Sequence, residues 1–155
     1  MTDEKPSFNF LINSVMRISK SATNRNDKLK KICILLKDSV HYYDWVGFYL
    51  ADPDIRELRL GPYVGEPTEH IKIPFGTGIC GQAAVTLETF IVQDVAKENN
   101  YLACSPVVRA EIVIPVMKGN KFVAELDIDS HQVGAFNDED RDFLENVANI
   151  IGQLF

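Results

Sequence analysis

The spacing of apolar positions changes several times along this chain, and each change marks an element. Phe8, Leu11, Ile12, Val15 and Ile18 recur every three or four residues, and after the polar break SATNRND the same rhythm returns in Leu29, Ile32, Cys33, Leu36 and Val40. That period lays one apolar stripe along a helix, so two amphipathic helices are expected first. Asn26 or Asp27 is placed to cap the second, because a short polar side chain accepts hydrogen bonds from the free amides of a first turn. Cys33 falls in the stripe and is expected in the core, where free cysteine packs as a small hydrophobe. Residues 43–50, YDWVGFYL, are too aromatic and β-branched for a surface helix; they read as a strand closed by the turn ADPD, with residues 58–64 as its hairpin partner.

Residues 70–74, HIKIP, read as a short edge strand ended by proline, and residues 75–82, FGTGICGQ, lead into a helix that runs through Thr86. Residues 89–93 are a further strand, and the polar, asparagine-rich residues 94–102 a connection. Apolar runs at 110–117 and 122–130 flank Gly119-Asn120 and predict a second hairpin. Asn137 caps a closing helix whose first turn holds Asp138, Glu139 and Asp140, with Phe143, Leu144, Val147, Ile150, Ile151 and Leu154 as its core stripe. The order predicts an α+β fold, an antiparallel sheet with helices packed on it, and the 155 residues suit one domain.

Composition narrows the class. No apolar run approaches the roughly 20 residues needed to span a bilayer, and the acidic N-terminus MTDEKPSFNF lacks the basic start of a secretory signal, so a cytoplasmic protein is expected. A net charge of -6 disfavours nucleic acid and anionic membranes, which leaves small molecules and other proteins as partners. Three cysteines cannot all pair within one chain, and in a reducing compartment they are expected as thiols or a transient redox pair.

The candidate chemistry lies in the second hairpin and the loop before it. Glu125, Asp127 and Asp129 alternate with Leu126 and Ile128, so the three carboxylates share one face of a strand. Such a face is either solvated or, on a central strand, obliged to share protons or meet a cation. Cys104 stands in a loop seven residues before Glu111, and with the three acids across the turn it makes a thiol-plus-acid site. Cys80 stands near the start of a helix, where the dipole and unpaired amides favour a thiolate and lower the pKa. GTGICG has neither the Walker lysine nor the dinucleotide spacing and is not read as a phosphate loop. Trp45, Phe48 and Tyr49 read as core aromatics, with the Trp45 indole N–H kept as a donor. His41, His70 and His131 are scattered and no CxxC or HExxH spacing occurs, so neither a metal nor another cofactor is expected.

The segments WVGFYL (45–50), LGPYVG (60–65), GTGICG (76–81), Ala103-Cys104, EIVIP (111–115), LDIDS (126–130) and FNDED (136–140) together resemble the free methionine-(R)-sulfoxide reductases, enzymes built on one GAF domain. GFYL and the acidic helix start are common among GAF domains; the two cysteines 24 residues apart with the EIV and LDIDS segments are more specific. The resemblance implies a GAF-like fold and reduction of the R epimer of free methionine sulfoxide, with thioredoxin as electron donor. The family often forms a homodimer, and the sequence itself leaves the oligomeric state open. By position Cys104 matches the cysteine that attacks the sulfoxide sulfur, and Glu111 and Asp129 match carboxylates that hold the substrate or share a proton with its oxygen. Asp127 lies in the same motif and Trp45 matches an aromatic wall of the pocket. The family pattern has a further cysteine where this chain has His70, which makes Cys80 the resolving partner. The helix-start argument favours Cys80 as the attacking thiolate and the resemblance favours Cys104. A GAF module that binds a small molecule without chemistry is the alternative, because fold does not fix function.

Overall fold

A computed structural model describes residues 7–99, 101 and 106–155. The helices α1 (Phe8–Ser19) and α2 (Arg25–Ser39) come first, then the strands β1 (Trp45–Asp52), β2 (Glu57–Val64) and β3 (Lys72–Pro74). Helix α3 (Gly78–Thr86), strand β4 (Phe90–Val92) and a short 3-10 turn (Val95–Lys97) lead to β5 (Ala110–Lys118), β6 (Lys121–Ser130) and the closing helix α4 (Asp138–Gly152). The six strands form one antiparallel sheet in the order β3-β2-β1-β6-β5-β4, which makes β6 central and gives it a partner on each side. The expected α+β architecture is present.

Alternation along the central strands sorts side chains between two cores. Val46 and Phe48 of β1, Ile112 and Ile114 of β5 and Leu126 and Ile128 of β6 face α1, α2 and α4 in the main core. Trp45, Tyr49 and Val113 face the other way, into a smaller core closed by α3 and β3 with Ile73, Ile79 and Cys80. Cys33 is buried in the main core as its place in the α2 stripe requires, and burial pushes its thiol well above the ordinary cysteine range.

Two local readings are corrected. The α2 cap is Asn24, whose side chain accepts from the Asp27 amide at 2.8 Å, so Asn26 and Asp27 lie inside the first turn. Strand β1 runs on to Asp52, two residues past the point where ADPD was expected to stop it, and the turn falls at residues 53–56. Pairing with Glu57 and Leu58 satisfies the backbone of Asp52 and Ala51 and so extends the strand.

Asn137 caps α4 as expected, in a reciprocal box with Asp140. Asp140 does more than cap. Its Oδ1 accepts from the hydroxyls of Tyr42 at 2.6 Å and Tyr43 at 2.7 Å, and its Oδ2 accepts from the Asn137 amide at 3.1 Å. This fully buried carboxylate ties the chain entering β1 to the start of α4. Burial and the Asp140 charge push both phenols above the ordinary tyrosine value. The unfolded chain releases these protons near pH 10 while the folded chain retains them, so stability falls as pH rises through that point. Asp140→Ala strands two buried hydroxyls at about 1–3 kcal/mol each, and urea unfolding is expected to show a loss near ~3 kcal/mol. Tyr43→Phe is expected to flatten the alkaline arm of stability against pH.

Candidate active site

The carboxylates of β6 are not a solvated face. Glu125 and Asp129 are 0% exposed and Asp127 is 1% exposed, and Glu111 of β5 joins them at 4%. Register explains the grouping. Asp129 pairs with Glu111 on one side and Trp45 on the other, Asp127 with Val113 and Gly47, and Glu125 with Pro115 and Tyr49. All of these side chains point into the smaller core, so four acids share a layer with aromatic and aliphatic neighbours. Among the described residues, no oxygen of Glu125 or Asp127 has a hydrogen-bond partner of good geometry. Burial raises the pKa of Glu125, and the adjacent Asp127 raises it further. Asp127 is likewise raised by burial, offset in part by Glu111 and Cys80. Both hold protons above the usual carboxylate range.

Helix α3 closes this layer and brings Cys80 to it. The Cys80 Sγ lies 4.0 Å from Glu111 Oε2, and with Asp127 the three donor atoms fall within 4.8 Å of one another. Tyr49, His70, Ile73 and Ile79 complete a cavity of about 10 Å³, the space of one small molecule such as water. Tyr49 donates to the His70 carbonyl at 2.9 Å and fixes the segment that leads into β3. The glycines of GTGICG serve this closure. A side chain on Gly81 would meet the Pro74 carbonyl at 2.7 Å, so only glycine lets α3 pack this close to the end of β3.

The expectation that the helix start lowers the Cys80 pKa is overturned. Its thiol is pushed well above the ordinary cysteine value, first by burial and then by Asp127, Glu111, Glu125 and Asp129. Four nearby carboxylates and the loss of water outweigh a helix dipole worth about 0.3–1 kcal/mol.

Trp45 flanks the same layer. Its indole stacks on Tyr63 at 5.3 Å between centroids and donates to the Glu66 carbonyl at 2.9 Å. The donor left open by sequence is thus taken up in closing the β2–β3 loop. A side chain on Gly47 would meet the Trp45 ring at 2.4 Å, so that glycine is the floor under the indole. A second cavity of about 290 Å³ opens here, lined by Trp45, Asp129, Asp44, Val108, Lys37 and His131 among others. Cys104 lies outside the described residues. The chain on either side of it borders the site: Tyr101 packs on the smaller core, Val108 lines the second cavity, and the Arg109 amide donates to Ser130 at 2.8 Å.

The structure therefore gathers Cys80, Glu111, Asp127, Asp129 and Trp45. Glu125 belongs with them although the sequence carried no signal beyond its place on the acidic face. Tyr49 and His70 also line the small cavity, which neither the aromatic run nor the scatter of histidines could show.

A buried acid whose folded pKa is raised contributes stability that is complete below its unfolded value and declines as pH rises toward its folded one. Stability is therefore expected to fall from about pH 4 upward. Glu125→Gln should flatten that decline and raise the melting temperature at pH 7, by about 2–4 °C per kcal/mol recovered. Calorimetry across pH checks both.

Comparison with known proteins agrees with this geometry. Residues 30–155 match the family model of the GAF domain. The free methionine-R-sulfoxide reductase of Escherichia coli is 35% identical over 120 residues, 77% of this chain and 69% of that protein. The free methionine-R-sulfoxide reductase of Neisseria meningitidis in complex with its substrate superposes with a TM-score of 0.92 at 31% identity, covering 100% of this chain and 92% of that one. The reduced fRMsr of Staphylococcus aureus gives 0.89 at 33% identity, with 99% of each chain covered. The fold is common ground with these proteins, and the chain belongs to the GAF domain family, among its free methionine-R-sulfoxide reductases.

Proposed function

We propose that this protein reduces free methionine-(R)-sulfoxide to methionine, with Cys104 as nucleophile, Cys80 as resolving thiol and thioredoxin as electron donor. The observation that carries the reading is the column of buried, proton-holding carboxylates that meets the Cys80 thiol in one cavity. A sulfoxide sulfur is a poor electrophile until its oxygen accepts a proton or a strong hydrogen bond, so the reaction needs an acid still protonated near neutrality. Burial moves Asp127 and Glu125 in the direction that need requires. The substrate ammonium in turn supplies a cation to a layer of four acids, and Asp129 beside Trp45 borders the roomier cavity where an amino acid can lie.

The environment of Cys80 bears on the roles of the two thiols. A thiol held protonated by burial and four acids is a poor first nucleophile. Cys104 is thereby favoured for attack, consistent with its place in the family pattern. Its thiolate attacks the sulfoxide sulfur, the oxygen takes a proton from the acid layer, and the hydroxyl passes to the cysteine sulfur as methionine leaves. Cys104 becomes a sulfenic acid. The Cys80 sulfur then attacks the Cys104 sulfur, water leaves, and a disulfide forms. Two thiols are oxidised, one sulfoxide is reduced and one water is produced. Reduced thioredoxin returns both thiols by disulfide exchange. The small cavity beside Glu111 gives the departing proton of Cys80 an acceptor at 4.0 Å.

A thioredoxin-coupled NADPH assay with the two epimers of free methionine sulfoxide and a peptide-bound form tests the reading, with turnover expected for the free R epimer alone. Cys104→Ser is expected to abolish turnover, and undiminished activity would remove it as nucleophile. Cys80→Ser is expected to release about one methionine per chain and then stall with a sulfenic acid that a dimedone-type reagent traps. Asp129→Asn is expected to lower kcat/KM by about 10²-fold or more. Equal rates with both epimers would exclude the assigned specificity.

A further inference from the structure

We propose that the reduced protein binds one zinc ion at Cys80, Glu111 and Asp127, with His70 on the wall of the same cavity, and that the ion blocks the thiol reversibly. Sequence spacing gave no metal motif because the donors come from separate elements. Cys80 is on α3, Glu111 on β5, Asp127 on β6, and His70 precedes β3. The fold assembles what the chain separates.

Three features support the site. The Cys80 sulfur and one oxygen each from Glu111 and Asp127 lie within 4.8 Å of one another, and the sulfur is 4.0 Å from Glu111. Tetrahedral zinc holds thiolate sulfur at ~2.3 Å and carboxylate oxygen at ~2.1 Å, which sets these donors roughly 3.5 Å apart. Small side-chain rotations close that difference. Asp127 is 1% exposed, lines the cavity, and among the described residues leaves both carboxylate oxygens without a hydrogen-bond partner of good geometry. A buried carboxylate in that condition is an incomplete coordination shell. The cavity between the donors, about 10 Å³, admits a single small occupant.

The donor set selects the metal. One sulfur with two carboxylate oxygens, in a cavity that His70 also lines, is too soft for magnesium or calcium, which take oxygen shells of six or more, and suits zinc. The dication also supplies positive charge to a buried layer of acids. Binding involves no electron transfer; protons leave the donors and a chelator reverses it. On the proposed reaction the ion occupies the resolving sulfur and the acids together, so zinc and turnover exclude one another. The binding site itself rests on the donors and not on that reaction.

Titration of the reduced protein with zinc against a chromogenic chelator is expected to give one ion per chain and a raised melting temperature. Cobalt in place of zinc is expected to give a near-ultraviolet thiolate charge-transfer band that disappears in Cys80→Ser. Cys80→Ser and Asp127→Asn are each expected to weaken binding by about 10²-fold or more, and His70→Ala by about 10-fold. Cys33→Ala is expected to leave the affinity unchanged. Inhibition of turnover by zinc and its recovery with chelator form a separate arm: failure there with binding intact removes the regulatory role and spares the site. Absence of stoichiometric binding, or binding that survives Cys80→Ser and is lost in Cys104→Ser, would overturn the assignment. Since circular dichroism reports the fold of each variant, a loss of affinity in a folded Asp127→Asn counts for the site and an unchanged affinity counts against it.

Discussion

Placing acids on the inner face of a central strand, where water cannot reach them, is the constraint from which the rest follows. Glu125, Asp127 and Asp129 stand at 1% exposure or less, and Glu111 faces Asp129 across one ladder position. Moving even one ionised carboxylate into such a setting costs several kcal/mol after relaxation, so protons are retained. The layer is thus a store of protons and a demand for positive charge. A fold serving stability alone would fill these positions with valine or leucine, as it does one residue away at Leu126 and Ile128. Acids buried in this way are found where function needs them.

The architecture confines that cost to one side of the sheet. Helices α1, α2 and α4 cover the opposite face with a dry core in which Ile112, Ile114, Leu126 and Ile128 interlock. The strands that carry the acids are therefore held on both edges and from beneath. The acid side has thinner cover, α3 and the short strand β3, joined by the close approach at Gly81 and by the Tyr49 bond to the His70 carbonyl. Rigid support beneath and a smaller closure above place a reactive layer where its geometry is fixed and its ligands can still reach it.

Much of this was legible in the sequence, and the failures have physical causes. Helical stripes, strand alternation and turn residues located α1, α2, α4 and both hairpins, because those patterns follow from the two side-chain periods. The same alternation put the three β6 acids on one face. It could not say which face was dry, since burial depends on what packs from elsewhere, in this case α3. The Cys80 reading failed for the same reason: the local helix start was seen, but the four acids that outweigh it arrive from β5 and β6. Tyr42, Tyr43 and Asp140 likewise meet across almost a hundred residues of chain, beyond the range of any periodicity.

Proton accounting links the cysteine chemistry to the acid layer. Reducing one sulfoxide with two thiols makes one water, so two protons must reach the departing oxygen during the cycle. Neither Asp127 nor Glu125 need be a strong acid for this, because burial raises both carboxyls and so eases the return of a donated proton. The Cys80 proton travels the opposite way. In the proposed resolving step the Cys80 sulfur sheds that proton as it attacks the sulfenic acid, and the Glu111 carboxylate 4.0 Å away in the same cavity is placed to accept it. On the proposed reaction the environment favours one order of events: burial and the nearby acids disfavour the Cys80 thiolate, which leaves the first attack to the other thiol. The buried acids that suppress the Cys80 thiolate are the same groups that carry the protons the reaction needs, so a variant that frees the thiol by removing them would lose the reaction it was meant to speed.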